Sequence, residues 1–349
     1  MRKKTTIYDI AKELNITAST VSRALNDNPK IRKATRELVQ RTALEMNYEQ
    51  NKVALALKSG KSNNVGVIVP RIDNNFFSSV IRGIEEELYP KGYHVIICQT
   101  HDLDDLEVNN IHSLLNVQVD GILMSISNAE LEKNESFNKL IKNKKTPLIF
   151  FDRKIDIDGI SSVTIDDFKA GYDTTQHLIN QGCKRIAHLS NNRLFEIYKN
   201  RYLGYKQALI DNGLNFDEDL VIETESKVIE GRKSTSLLLD LEIPPDAIFS
   251  SSDFVALGAF QEIKSRGLKI PEDICIAGFS NEPFTRFMEF TTITTINQFP
   301  IEMGRIAAQV FLEEVNITNV KNKKNKNVVL TPELIIRKSS SKPFIPIKS

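Results

Sequence analysis

Ala18, Ser19, Ser22 and Arg23 set three small side chains beside one long donor fork within six residues. A helix face of this kind fits a groove about 12 Å wide, and a guanidinium can donate two bonds to guanine O6 and N7. The chemistry is recognition of base edges in duplex DNA, with Arg23 as the candidate reader. The elements that must position these residues lie in residues 6–26, TIYDIAKELNITASTVSRALN. Ile7, Ile10, Ala11 and Leu14 fall at i, i+3, i+4 and i+7, the apolar stripe of a short helix. Thr6 and Asp9 open it as a capping box. After a link at residues 15–17, Thr17 serves as N-cap of a second helix, whose Val21 and Leu25 pack back on the first. The pattern predicts a helix-turn-helix; taken alone, two short helices also suit a structural bundle. A third helix is predicted over about residues 32–47, with Val39, Ala43 and Met46 inward and Lys33, Arg36 and Arg41 turned to phosphate or solvent.

Charge supports the nucleic-acid reading. Residues 1–63 hold 13 Lys+Arg against 6 Asp+Glu, a net of about +7, in a chain whose formal net charge is only +1. Charge alone is equally a solvated face; a cationic module carrying a helical hairpin is what a polyanion selects.

The strings TIYDIA and TVSRALN, with the organisation that follows them, resemble the LacI/GalR family of bacterial transcription regulators over nearly the whole chain. The resemblance implies an all-α helix-turn-helix headpiece (residues 1–50) and a hinge helix with linker (51–63). An α/β core of two lobes with parallel sheets follows (64–349), of the periplasmic-binding-protein-like type I. It also implies a homodimer on a pseudo-palindromic operator. The DNA-contacting set it implies is Thr6, Thr17, Ala18, Ser19, Thr20, Ser22, Arg23, Asn26 and Leu57. Ala18 offers only a methyl group, so the operator preference differs from that of relatives with larger side chains there. Leu57, in NKVALALKS, aligns with the leucine that wedges into a minor-groove step. Packing of Leu55 and Leu57 on the core is the other reading. Gln50 stands where the family often has Pro, and Leu55 where it often has Arg.

From residue 64 onward, β-rich runs alternate with helical ones, the rhythm of parallel sheets built from βαβ units. The runs are VGVIVP, HVIICQT, DGILMS, TPLIFFD, SSVTID, RIAHLS, AIFSSSD and ICIAGFS. Lobe one is expected at about 64–161 plus 291–325, and lobe two at about 162–290 plus 326–340. By the resemblance TTITTINQ (291–298) crosses back to lobe one, and VVLTPELIIR closes lobe two.

Ligands of such sheets bind beyond the carboxyl ends of the strands. The residues that follow them are Arg71, Asp73, Asn75 and Phe76; Asp102; Ser125 and Ser127; Asp152 and Arg153; then Asn191, Arg201, Asp253, Ser280 and Asn281. Donors, carboxylates and a ring facing each other suit a small polar metabolite such as a sugar or sugar derivative. The ligand-binding set is Asn75, Phe76, Asp152, Arg201, Asp253 and Asn281. Four of these match family effector positions, in DNNFF, FFDR, RYLGY and SSDFVALG. Each alone equally suits a loop ion pair or cap; jointly they favour a cleft. The corner GFSN (278–281) replaces an Asp-Asp ending common in relatives, which points to an unusual ligand.

Catalysis finds little support. The chain has no phosphate-binding GxxxxGK[ST] loop, no GxSxG elbow and no closely spaced His pair, so neither metal nor cofactor is expected. Cys98, Cys183 and Cys275 are well separated and read as reduced, packed thiols. Without an export signal or an apolar run of 18 residues, the expectation is a cytoplasmic, non-enzymatic regulator. The alternative is a cytosolic solute receptor or small-metabolite enzyme on the same core.

Overall fold

The computed structural model describes residues 5–49, 60–142, 146–288, 291–316 and 325–342. It divides into two compact units, Met1–Ser62 and Asn63–Ser349. The hinge positions Leu55 and Leu57 lie outside the described residues.

The first unit contains α1 (Ile7–Glu13), α2 (Ala18–Leu25) and α3 (Lys33–Glu45). Thr6 forms the expected capping box: its hydroxyl accepts from Asp9 N, and its own N–H donates to Asp9 Oδ2 at 2.9 Å. Thr17 caps α2, accepting from Thr20 N at 3.2 Å. Ile10, Val21, Ala24 and Val39 are fully buried, one from each apolar stripe or more, and so fix the three helices around a single small core.

The second unit holds two parallel sheets. In the first lobe β1 (Asn64–Val69), β2 (His94–Gln99), β3 (Gly121–Met124) and β4 (Leu148–Phe151) join β5 (Ser161–Ile165) and β11 (Asn327–Leu330). Their order is β11-β5-β4-β3-β1-β2. The second lobe has β6 (Ile186–Ser190), β7 (Val221–Glu223), β8 (Ala247–Ser250) and β9 (Cys275–Ala277), in the order β7-β6-β8-β9. A two-stranded antiparallel ribbon, β10 (Thr295–Asn297) with β12 (Glu333–Ile335), stands apart from both.

Two expected lobe assignments are corrected. Residues 162–165 and 327–330 belong to the first sheet, where Asn327 pairs with Ser162 and Leu330 with Ile165 in parallel register. VVLTPELIIR therefore does not close the second lobe: its first half is an edge strand of the first sheet and its second half pairs with β10. The chain reaches the second lobe later, where Ser339 N donates to Thr292 O at 2.9 Å and Ser339 Oγ to Ile276 O at 2.6 Å. Residues 291–298 also do not simply cross back, because Thr294 bridges Ala277 of the second sheet.

The helices that flank the sheets are α4 (Asn75–Leu88), α5 (Asp104–Asn116) and α6 (Glu135–Lys142), then α7 (Asp167–Asn180) and α8 (Glu196–Asp211). After them come α9 (Val228–Leu239), α10 (Asp253–Ser265), the short α11 (Phe284–Phe287) and α12 (Pro300–Glu314). α4 packs on α12, α7 on α8, and α9 on α10. Each pair meets backbone to backbone at glycines. A Cβ on Gly83 would stand 2.0 Å from Ile301 O, and one on Gly304 2.1 Å from Val80 O; Gly171 with Gly204, and Gly231 with Gly258, repeat the device. Only residues without Cβ permit such closeness, and it brings the two helices of each pair into backbone contact.

Candidate functional site

On α2, Ser19 and Arg23 are exposed one turn apart, and Asn26 follows just beyond the helix at its C-cap. They share one face because residues at i, i+4 and i+7 align along a helix. Ala18, Thr20 and Ser22 are half-buried beside them, and Thr6 and Thr17 are the exposed caps of α1 and α2. Thr17 is engaged with both Ser19 Oγ, at 3.1 Å, and Thr20 Oγ1, at 2.9 Å. Asn26 Nδ2 donates to Ser22 O at 2.7 Å, which ties the C-cap side chain back to the helix. The Arg23 carbonyl accepts from Asn28 N at 3.0 Å, while its guanidinium makes no hydrogen bond or ion pair with another described residue. Val21 and Ala24, on the opposite side, hold the helix to the core.

In the second unit a cleft of about 860 Å³ is lined from both lobes by the segments that follow the strands. Of the expected ligand set, it receives Phe76, Asp152 and Arg201. It also receives Arg71, Asp73, Asp102, Ser127, Arg153, Asn191 and Ser280 from the wider group of loop residues. Ser125 lies fully buried beneath, where its hydroxyl donates to Asp152 Oδ2 at 3.1 Å.

Arg201 projects from α8 and is 3% exposed. Its Nε donates to Asp167 Oδ1 at 2.7 Å, its Nη1 to Ser251 O at 3.2 Å, and its guanidinium carbon lies 3.5 Å from the centroid of the Phe279 ring. Burial pushes the Asp167 carboxyl up to about 7, against the opposing pull of Arg201. Arg153 lies over Phe195, 4.9 Å from the ring centroid, and donates through Nη1 to Asp102 Oδ1 at 2.8 Å. Its Nε is buried, lies 4.0 Å from Asp152 Oδ2 and has no hydrogen-bond partner among the described residues. Burial raises the Asp152 carboxyl, with Arg153 and Arg201 acting in the opposite direction. Asp152 itself sits at φ 59°, a left-handed conformation that Asp tolerates better than most residues.

Three expected contacts are placed elsewhere. Asp253 is fully buried; Oδ1 accepts from Thr295 Oγ1 at 2.7 Å and Oδ2 from Glu282 N at 2.8 Å. Both oxygens are therefore committed to tying the 278–282 loop to β10, and burial pushes this carboxyl up to about 6. Asn281 also faces away from the cleft: its Oδ1 accepts from Arg337 Nη2 at 2.7 Å, and its N–H donates to Thr295 Oγ1 at 3.1 Å. Asn75 and Asn281 line a second, smaller pocket instead. The first residue of a helix after a strand turns toward whichever side the loop leaves open, and chain order alone does not specify that side.

Other lining residues escaped the sequence reading. Phe195 and Tyr198 bring rings to the cleft wall. Tyr198 had a usable signal, since it precedes Arg201 by one helical turn and so shares its face. Gln298 had none, because it lies in a crossover. It is 3% exposed, donates to Ser280 Oγ at 3.0 Å, and leaves its Oε1 without a partner among the described residues.

The cations of the cleft are already matched. Arg71 pairs with Asp73 at 2.8 Å, Arg153 with Asp102 at 2.8 Å, Arg201 with Asp167 at 2.7 Å, and Lys227 with Glu225. The cleft wall thus combines the Asp152 carboxylate, charge-matched guanidinium groups and the rings of Phe76, Phe195 and Tyr198. Among the described residues no group of three or more His, Cys, Asp or Glu could hold a metal ion, and no helix is long and apolar enough to cross a membrane.

Comparison with known proteins agrees with this division of labour. Residues 6–51 match the bacterial regulatory proteins of the lacI family, and residues 62–339 match the periplasmic binding proteins and sugar binding domain of the LacI family. The chain is 33% identical to the HTH-type transcriptional regulator DegA of Bacillus subtilis over 97% of this chain and 98% of that protein. It is 32% identical to catabolite control protein A of Priestia megaterium, over 97% and 99%. Among solved structures, a lac repressor dimer bound to operator and an anti-inducer aligns at TM-score 0.85, with 22% identity over 97% of this chain and 99% of that one. A LacI family regulator from Enterococcus faecium with bound ribose aligns at 0.71, with 27% identity over 80% and 98%. With a capped recognition helix in one unit and a two-lobed ligand cleft in the other, the chain belongs to the LacI family of DNA-binding transcriptional regulators.

Proposed function

We propose that this protein is a cytoplasmic repressor that binds a pseudo-palindromic operator as a homodimer, and that a small uncharged polyhydroxylated metabolite in the cleft sets its affinity for DNA. The observation that carries the ligand class is the pairing of Arg71, Arg153, Arg201 and Lys227 with carboxylates, which matches the positive charge of the cleft and favours an uncharged guest over an anion. Hydroxyl groups suit this lining, since one hydroxyl can donate to the Asp152 carboxylate and accept from a guanidinium N–H. Phe76, Phe195 and Tyr198 offer ring faces and edges to the C–H surface of a sugar. The ribose bound by the Enterococcus faecium relative is of this class.

Arg23 and Ser19 read base edges from α2, with Thr6, Thr17, Ala18, Thr20, Ser22 and Asn26 supporting the approach through phosphate, cap or methyl contact. Leu57 is assigned the minor-groove wedge. Ligand acts by linkage: a guest that touches both lobes favours one lobe orientation, and a coupling of about 1–3 kcal/mol changes operator affinity roughly 5- to 150-fold. Titration of a selected duplex with and without a panel of neutral sugars, at two salt concentrations, tests the reading. A steep salt slope and a sugar-dependent shift support it; a shift produced only by anionic metabolites contradicts the ligand class.

A further inference from the structure

Cys183 and Cys275, far apart in the chain, meet in the second lobe. Cys183 lies in the turn from α7 to β6, and Cys275 opens β9; they are 1% and 0% exposed. Asp246, the residue before β8, holds them together. Its carbonyl accepts from Cys275 N at 3.0 Å and from the Cys183 thiol at 3.8 Å, and its carboxylate accepts from Lys184 N at 2.8 Å and Arg185 N at 3.0 Å. The turn that carries Cys183 is thereby pinned to the same residue as the start of β9. The Cys275 thiol donates to the Cys183 sulfur and also reaches Pro271 O at 3.6 Å. Apart from each other, then, the two sulfurs have only long carbonyl contacts.

A strap of residues 338–342 runs past the pair. Ser339 Oγ donates to the carbonyl of Ile276, the neighbour of Cys275, at 2.6 Å. Ser340 Oγ lies 2.7 Å from His177 Nε2, and Lys342 N donates to Gln181 Oε1 at 3.0 Å, just before Cys183. These anchors set the half-buried Lys342 beside the Cys183 sulfur. Donation from Cys275 and the Lys342 ammonium hold the Cys183 thiol below the ordinary thiol value, against burial and the Asp246 carboxylate. Its contact with Cys183, together with burial, pushes the Cys275 thiol up. One sulfur is thus prepared as a nucleophile and the other is kept as a thiol. Cys98, on β2, is more exposed than either, yet burial raises its thiol.

We propose that Cys183 and Cys275 are a redox-modification site, at which a small peroxide joins them reversibly in a disulfide beneath the strap. The Cys183 thiolate attacks one peroxide oxygen. The O–O bond breaks, the sulfur becomes a sulfenic acid, and the other oxygen leaves as hydroxide and takes up the proton that the Cys183 thiol gave up. The Cys275 sulfur then attacks the sulfenic sulfur; the S–O bond breaks, and the departing hydroxide takes the Cys275 proton. Two thiols and one peroxide become one disulfide and two waters, the sulfurs losing the two electrons that the peroxide gains. Burial selects a small, uncharged oxidant, which enters when the strap opens locally. A dithiol reductant restores both thiols by exchange.

The test exposes the reduced full-length protein to hydrogen peroxide, quenches it, and alkylates the remaining thiols after denaturation. Peptide mass spectrometry should show a Cys183–Cys275 cross-link that dithiothreitol reverses, with Cys98 still alkylated. Cys275→Ser should leave Cys183 as a sulfenic acid that dimedone labels, whereas Cys183→Ser should leave Cys275 unmodified at the same exposure. Lys342→Met should slow cross-linking several-fold, because it lowers the thiolate fraction of Cys183. The wild-type protein decides the matter even if a serine variant fails to fold. Four results there would overturn the proposal: Cys98 oxidised ahead of the pair, Cys183 driven to sulfinic acid without a cross-link, disulfides formed only between separate molecules, or all thiols left unmodified.

Discussion

Arg201→Met should destabilise the core by about 2.5–3.5 kcal/mol at pH 8, near the lower end of the usual cost of stranding one member of a buried ion pair. Arg201 and Asp167 are each 4% exposed in their side chains and 2.7 Å apart, so no water replaces the lost partner. Methionine keeps the apolar stem beside Phe279, which limits the packing loss. The effect has a pH signature. Asp167 titrates near 7 in the fold against an ordinary value of 3.8, so this group makes stability fall as pH rises from 3.8 to about 7 and level off above. Without Arg201 the folded value climbs further and the fall continues past 7. The variant's deficit therefore widens above pH 7, by up to about 1.4 kcal/mol per pH unit. Below pH 6 the carboxyl is mostly neutral in both proteins, and the deficit shrinks to the lost hydrogen bonds, about 1–2 kcal/mol. Urea unfolding of the core transition at pH 6 and pH 8 measures the difference. Adding Asp167→Leu to Arg201→Met should recover most of the loss at pH 8, since both charges are then gone. An equal deficit at both pH values, or a double variant weaker than the single one, would refute the reasoning.

Arg23→Ala should cost about 1–3 kcal/mol of operator binding and relax preference at one base pair, while cleft ligand affinity stays unchanged in calorimetry. Loss of both would contradict the separation of roles. Gly83→Ala places a methyl against the Ile301 carbonyl and should lower core stability by about 1–3 kcal/mol in thermal unfolding, whereas an unchanged melting temperature would deny the close helix crossing. Thr17→Ala removes the cap of α2 and should destabilise the headpiece by roughly 1 kcal/mol, read from amide exchange in α2; unaltered exchange there would count against the cap.

Where local pattern dictates structure, the sequence was readable. The helix-turn-helix follows from one apolar stripe, two caps and a short link, all within neighbouring residues; of the set the spacing indicates, Ile10, Ala11, Val21, Val39 and Ala43 are buried and Ile7, Leu14, Leu25 and Met46 half-buried, while the buried Ala24 was not indicated. The strand runs of the core were equally plain, because strands buried on both faces need continuous apolar segments. Membership of a lobe was not plain. Pairing of Asn327 with Ser162 joins residues 165 apart, and nothing local says which sheet an edge strand completes. For the candidate site, Phe76, Asp152 and Arg201 line the cleft, and the sequence singled them out because they follow strands or repeat a family string. Asp253 and Asn281 carry the same kinds of signal yet are committed to Thr295, Glu282 and Arg337, since the side a residue after a strand faces depends on nonlocal packing. Gln298 and the Gly83–Gly304 crossing left no local trace: one lies in a crossover, and the other is visible only when two distant helices are laid together.

The most direct measurement selects bound duplexes from a randomised DNA pool with the purified protein at two salt concentrations, then titrates the winning duplex with neutral sugars. The account predicts a salt-sensitive, pseudo-palindromic sequence whose affinity shifts when a sugar fills the cleft, with the shift lost in Arg201→Met. Absence of an enriched sequence, or an enriched sequence whose affinity no neutral sugar alters, would contradict it.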